Sequence, residues 1–312
     1  MSTGANHVRE ERTAAAPEII NKVTSNNNST SSSLQPNGHE PRTVYDLLFT
    51  LSPDVDTGLE IVEHDVIHPY FAQVDQVFPL ACPASPPHYQ KDPVKTIETC
   101  TLGTLNMLRL AQKANARFML VSTSEIYGDP LEHPQKETYW GNCNPIGPRA
   151  CYDEGKRLAE TLTYAFATAR SLQVRVVRPF NTFGPRMNPN DGRVVSNFIT
   201  QALRGDDLTI YGEGEQTRSF QYVPDLVDGF VAVMEGDCAE PINLGNPEEY
   251  TVRELAEMVR RSVNEKVRIV NKDANVDDPQ KRKPDISRAK ERVGWQPRHS
   301  FKYGLEKTVE FF

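Results

Sequence analysis

Tyr152-Asp153-Glu154-Gly155-Lys156 places a phenol and an ammonium group at positions i and i+4. On a helix these side chains share one face, about one turn apart. A neighbouring Lys⁺ favours phenolate and draws a tyrosine pKa of ~10 toward neutrality. A tyrosine so poised can take the proton of a sugar hydroxyl while a hydride leaves the same carbon. Two ordinary surface residues would give the same pattern, so the pair needs company. It has some upstream, in Ser122-Thr123-Ser124-Glu125-Ile126-Tyr127-Gly128, directly after a strand ending at Val121. Hydroxyls at the carboxyl end of a parallel strand sit where open α/β sheets bind ligands. Thr123 is suited to hydrogen-bond the hydroxyl that Tyr152 deprotonates. Glu125 suits an acid, a base or a water-positioning group. The plain alternative is a polar strand-to-loop turn with a capping serine.

These residues must be held by repeated strands and helices. Val74–Phe78, Arg117–Val121 and Val174–Val177 read as strands. Between them, Val94, Ile97, Leu102, Leu105 and Leu108 recur at helical spacing over Val94–Ala114, predicting one buried face. Tyr152–Ala167 reads likewise through Leu158, Leu162, Ala165 and Phe166. Strands alternating with helices predict an α/β fold with a parallel sheet covered on both faces. After about Asp191 the pattern loosens, with turn signals at Gly212, Gly214 and Gly245, predicting a smaller mixed lobe that completes a cleft. Gly212-Glu213-Gly214-Glu215 reads as a tight turn after Leu208–Tyr211, not as a phosphate loop, because it carries two acids and no third glycine. Ser25–Ser33 holds no apolar residue, and residues 1–42 read as a disordered polar tail.

Composition narrows the class. With 35 Lys plus Arg against 42 Asp plus Glu, the chain carries a net charge of −7, which argues against general nucleic-acid binding. Five cysteines in 312 residues, none in a CxxC pair, are too few for a disulfide scaffold and suit a reducing, cytoplasmic compartment. No stretch approaches the ~18 apolar residues of a membrane span. The N-terminus has no apolar signal segment. Nothing at metal-ligand spacing points to a metal.

The residue blocks resemble one family. STSEIYGDP from Ser122, GNCNPIGPRACYDEGKR from Gly141, NTFGPRM from Asn181, DGRVVSNF from Asp191, TRSFQYV from Thr217 and DDPQKRKPDI from Asp277 occur in one order, together with the run Ala84–Pro87. They resemble the extended short-chain dehydrogenases/reductases, in particular the UDP-glucuronate decarboxylases, from about Leu59 to the C-terminus. The resemblance implies a Rossmann-like doubly wound sheet, tightly held NAD and a homodimer. It implies conversion of UDP-glucuronate to UDP-xylose through a 4-keto sugar. Tyr152, Lys156 and Thr123 would serve the oxidation at C4, with Glu125 and Arg282 at the carboxylate or at C5. Asp65, Val66, Leu80, Ser122, Thr123, Tyr152, Lys156 and Arg186 would face the cofactor. Asn106, Asn181, Tyr211, Arg218 and Arg282 would face the nucleotide sugar. Residues 43–190 would form the NAD-binding region and residues 191–312 mainly the nucleotide-sugar lobe.

Departures from the family pattern carry expectations too. Before Gly103 the only glycines are Gly4, Gly38 and Gly58, none at the spacing of a dinucleotide-binding turn. His64-Asp65-Val66, the strand expected at adenine, follows too few ordered residues for a preceding βαβ unit of ~30 residues. The sequence therefore predicts a Rossmann-like sheet that is incomplete at its N-terminal side, with Val44–Leu51 filling part of the gap. Pro79 stands where the family has His, within the predicted strand. Cys100 stands for a structural Asn, and Glu98 for a Lys near the acidic substrate. Two other readings stay open: a catalytically silent or truncated relative that binds nucleotide sugar or an active subunit, and a nucleotide-sugar 4,6-dehydratase or 4-epimerase. Ser124, where dehydratases place Asp, and the Arg282-Lys283-Pro284 block speak against the dehydratase.

Overall fold

The computed structural model describes residues 60–274 and 278–312. The polar tail and Val44–Leu51 lie outside them. Strands β1 (Gln76–Val77), β2 (Arg117–Val121), β3 (Val174–Pro179) and β8 (Ile242–Leu244) form a parallel four-stranded sheet in that order. The remaining strands are β4 (Thr182–Phe183), β5 (Leu208–Tyr211), β6 (Thr217–Ser219), β7 (Gln221–Tyr222), β9 (Glu249–Thr251), β10 (Ile269–Lys272) and β11 (Lys281–Arg282). The helices are α1 (Pro86–Tyr89), α2 (Pro93–Glu98), α3 (Thr104–Ala114), α4 (Ala150–Arg170), α5 (Val194–Arg204), α6 (Val223–Glu235), α7 (Val252–Val263), α8 (Ser287–Val293) and α9 (Phe301–Phe311).

Strand β2 explains why helices cover both sheet faces. Its side chains alternate, as a pleated strand requires, and every second one is apolar on each side. Phe118 and Leu120 pack with Leu108, Ala111, Ala159, Val174 and Val176 beneath α3 and α4. Met119 and Val121 pack with Val177, Leu226, Val233, Ile242, Leu244 and Trp295 beneath α6. The fold is α/β, as the alternating pattern predicts. The strand predicted over Val74–Phe78 is shorter, and Pro79 lies beyond its end, where it removes no ladder hydrogen bond. His64–Val66 is not a strand: Asp65 accepts from the Ile67 N–H and ion-pairs with Lys95 instead, at 2.5 Å.

The helix predicted over Val94–Ala114 forms as α2 and α3 joined by a π-helical turn over Thr99–Gly103. Asp92 caps its start by accepting from the Lys95 N–H, and Pro93 occupies the first turn, where no N–H is needed. Its buried face differs from the predicted one. Leu108 is buried, but Val94, Ile97 and Leu102 are exposed while Thr96, Thr99, Cys100 and Gly103 point inward. Helix α4 does the same: Leu158 and Ala165 are exposed, and Tyr152, Asp153, Lys156, Glu160 and Thr163 are buried. Hydrophobic periodicity finds an amphipathic helix but not which face meets the rest of its own chain. Here α2 and α4 pack on each other through small and polar side chains.

The second lobe is built on a separate core of Phe183, Phe198, Ile199, Leu208, Phe220, Leu255, Val259 and Phe301. Its short sheets are mixed: β5 pairs with β10 and β6 with β11 in parallel, and β6 with β9 antiparallel. Gly212 and Gly214 both have positive φ in the turn after β5, as the sequence predicts. The chain returns from this lobe to place β8 in the main sheet.

Candidate active site

Strand β2 ends at Val121 and delivers Ser122, Thr123, Ser124 and Glu125 to the carboxyl edge of the sheet. Thr123 caps the following 3-10 turn by accepting from the Glu125 N–H at 3.2 Å. That turn fixes Glu125 beside the first turn of α4, and Tyr152 stacks its ring on Tyr89 with centroids 5.3 Å apart. A cavity of about 390 Å³ lies between the lobes. Thr123, Glu125, Tyr152, Ser122 and Leu80 line it from the large lobe, and Asn181, Tyr211, Arg218 and Arg282 line it from the loops and strands beyond β3.

Glu125 is the electrostatic centre. Arg282 pairs with both of its carboxylate oxygens and Arg149 with one. Burial alone would raise its pKa, but the two guanidinium groups outweigh that and hold it well below the usual carboxylate range. Arg282 is not a solvated charge in a basic run: it is 2% exposed, in register with Arg218 across the parallel pair β6–β11. Arg218 is also buried and ion-pairs with Asp278 at 2.9 Å. Its pKa is lowered, mainly by burial, with Asp278 opposing. The cleft lining thus carries Arg149, Arg193, Arg218 and Arg282 against Glu125 and Asp278, an excess of positive charge.

Tyr152 departs from the phenolate expectation. Burial raises its pKa well above the ordinary value, and hydrogen bonding to Thr123 opposes this without winning. Lys156 is on the same helical face, but its Nζ donates to the Val121 carbonyl at 2.9 Å and lies 5.9 Å from the Tyr152 ring centroid. Lys156 is therefore placed behind the tyrosine rather than on its oxygen, and does not line the main cavity.

Other predicted residues lie elsewhere. Asn106 donates to the Val66 carbonyl at 3.1 Å and lines no part of the cleft. Asp65 and Val66 are likewise outside it, Arg186 is exposed with φ of 68°, and Glu98 on α2 is also away from the lining. Ser122 reaches the cleft edge while its hydroxyl donates to Glu160 at 2.6 Å. Glu160 is paired with Arg178, which also donates to the Tyr127 hydroxyl, so a buried polar network fixes the strand ends under the site. Arg149, Arg193, Gln216 and Tyr89 line the cleft and were not singled out by sequence. Arg149 precedes Tyr152 by three residues, and that helical spacing was the available signal.

A Tyr/Lys helix of this kind packed on a parallel, helix-covered sheet defines a class. Residues 59–308 match the family model described as GDP-mannose 4,6 dehydratase. The chain belongs to that family of extended short-chain dehydrogenases/reductases. Within it, the chain is 58% identical over 253 residues to UDP-glucuronic acid decarboxylase 1 of Arabidopsis thaliana, covering 81% of this chain and 58% of the relative. It is 56% identical to UDP-glucuronic acid decarboxylase 6 of the same plant, covering 81% and 74%. Thus the chain spans about three-fifths of the first relative's length, 58%. Among solved structures, UDP-glucose 4-epimerase of Thermotoga maritima, determined with UDP-glucose, is 32% identical with a TM-score of 0.71, each chain covered to 76%. The dTDP-glucose 4,6-dehydratase DesIV of Streptomyces venezuelae, with NAD and TYD bound, is 25% identical with a TM-score of 0.73, covering 83% of this chain and 81% of that one.

Proposed function

We propose that this protein decarboxylates UDP-glucuronate to UDP-xylose through a 4-keto sugar, using NAD. The observation that carries the reading is the meeting, in one cleft, of Tyr152 and Thr123 with a carboxylate, Glu125, gripped by Arg282 and Arg149. The decarboxylases matched above support it, with identities of 58% and 56%.

The residues suit the nicotinamide end of NAD. Leu80, Ser122 and Tyr152 line the cleft wall, with Lys156 one helical turn behind Tyr152. Asp65 would take the adenosine end and Arg186 the outer wall. NAD, held there by Ser122, Leu80 and Tyr152, would supply the reversible hydride acceptor for C4. Tyr152, in its ionised form, would take the C4 hydroxyl proton, with Thr123 orienting that hydroxyl. The ketone at C4 then accepts the electrons left when the carboxyl group departs as CO₂. Glu125, with Arg282, orients the carboxylate and serves protonation at C5. Arg218 and Asn181 hold the diphosphate and Tyr211 the nucleotide at the rim, where the arginine excess favours an acidic substrate. Asn106 acts on this region through Val66. Residues 43–190 would hold the cofactor and residues 191–312 mainly the nucleotide sugar. The exposed stripes of α2–α3 and α4 would join two copies as a homodimer. No helix among the described residues is long and apolar enough to cross a membrane; a cytoplasmic location is part of the proposal.

The test is incubation of the purified chain with UDP-glucuronate and NAD⁺, followed by mass spectrometry. UDP-xylose with CO₂ is expected. Formation of UDP-galacturonate would indicate an epimerase, and UDP-glucuronate recovered unchanged despite saturable binding would indicate a silent relative.

A further inference from the structure

Cys82 and Cys100, eighteen residues apart in sequence, meet with their sulfurs 3.1 Å from each other. Cys82 lies in the loop between β1 and α1, close to the cleft-lining Leu80 and Ala84, and is half-buried. Cys100 lies in the π-helical turn and is fully buried. Both thiols line a small cavity together with Lys156 and Leu120. Cys100 also packs on the catalytic helix: a Cβ at Gly155, between Tyr152 and Lys156, would stand 2.9 Å from the Cys100 Cβ. The pair therefore touches the back of the helix that carries the proposed base.

The two thiols differ in the way an attacking and a resolving cysteine must. The Cys82 thiol is drawn down to about 7, first by its hydrogen bond with Cys100, with the nearby Lys156 charge assisting. The Cys100 thiol is pushed up, by that same bond and by burial. The more accessible Cys82 sulfur, with its lowered pKa, thus lies directly against the sheltered Cys100 sulfur. Thiolate character and access govern reaction with peroxides.

We propose that Cys82 and Cys100 are a peroxide-oxidisable dithiol whose disulfide slows the active site. The Cys82 thiolate attacks hydrogen peroxide, cleaving the O–O bond to give a sulfenic acid and hydroxide. The Cys100 thiol then attacks that sulfur, forming the S–S bond and releasing water. Overall, two thiols and one peroxide give one disulfide and two waters. Bonding requires the sulfurs to approach by about 1 Å, to ~2.05 Å. Because Cys100 is wedged against Gly155, that movement is transmitted to Tyr152 and Lys156. Misplacement of reacting groups by ~1 Å can cost ~100-fold in rate.

The full chain is reduced, desalted, treated with hydrogen peroxide, alkylated and digested. A peptide joining residues 82 and 100, lost again with dithiothreitol, is expected in the wild type. In Cys100→Ser, Cys82 should stop at the sulfenic acid and be labelled by dimedone. Free Cys82 and Cys100 after oxidation, or a Cys100–Cys151 bridge in their place, would overturn the assignment; this map needs neither turnover nor the variant. The effect on rate rests on the decarboxylase reading. Turnover of UDP-glucuronate should fall at least tenfold on oxidation and recover with reductant, and unchanged turnover of a fully bridged sample would overturn the coupling. A reduced chain without turnover would refute the function while the peptide map still decides the dithiol.

Discussion

Tyr152 and Asp153 are adjacent and buried, and burial holds both toward their protonated forms. Stacked on Tyr89, the Tyr152 ring is packed whether or not it carries a hydroxyl. Tyr152→Phe should therefore fold normally yet lose roughly 10²–10⁴-fold in turnover, the range of a removed general base, read as UDP-xylose formed per enzyme. Asp153 has a buried carboxylate oxygen without a hydrogen-bond partner. Burial first, and then the Glu125 charge, raise its pKa to about 7. In the unfolded chain it titrates near 3.9. Between those values the native state binds the proton more readily, so its contribution to stability is complete below pH ~4 and declines as pH rises to about 7. Asp153→Asn removes the titration. Relative to wild type it should gain on the order of 1–3 kcal/mol at pH 8 and nothing at pH 4, measured by urea unfolding at both values.

At the scale of elements, α2–α3 and α4 turn apolar side chains outward. Val94, Ile97 and Leu102 follow at i, i+3 and i+8, with exposures of 66%, 44% and 46%, and Leu158 on α4 adds 47%. Such a patch on two packed helices is what a helical interface presents. Ile97→Glu should convert a dimer to monomers without loss of helix content, read by sedimentation velocity and circular dichroism. A chain already monomeric in the wild type would refute the interface. This same stripe shows how far the sequence could be read. Strand β2 was legible to the residue, because Phe118–Val121 is apolar on both faces and ends at a polar run. The helices were legible as helices. Their inward faces were not, because Thr96, Cys100, Gly103 and Gly155 pack by being small, which a hydrophobic pattern does not register. Of the site, the Tyr152/Lys156 spacing and the Thr123–Glu125 turn could be read from local geometry. The placement of Arg282 came only through resemblance, since its grip on Glu125 joins residues 157 positions apart; Arg149, 24 positions from Glu125, was signalled only by its helical spacing to Tyr152.

For the whole molecule, that grip is one of the links between the lobes. Glu125 hangs from the main sheet, Arg282 from β11 in the small mixed sheet, and Arg149 from the start of α4. Asp278 extends the chain of charges by pairing with Arg218 at 2.9 Å and approaching Arg149 at 3.9 Å. Largely buried charges gain little over an apolar packing of the same shape, but removing Arg282 leaves Glu125 with Arg149 as its remaining counter-charge. Arg282→Ala should cost roughly 3–5 kcal/mol in urea unfolding, the range of a broken buried pair. Glu125→Gln keeps the shape but leaves both guanidinium groups without their anion, so it too should be destabilising. The double variant Arg282→Ala with Glu125→Gln should lose less than the two single losses added together. That shortfall, measured as a coupling energy, separates a lobe-joining ion pair from two residues that merely happen to be buried; strict additivity would refute the link.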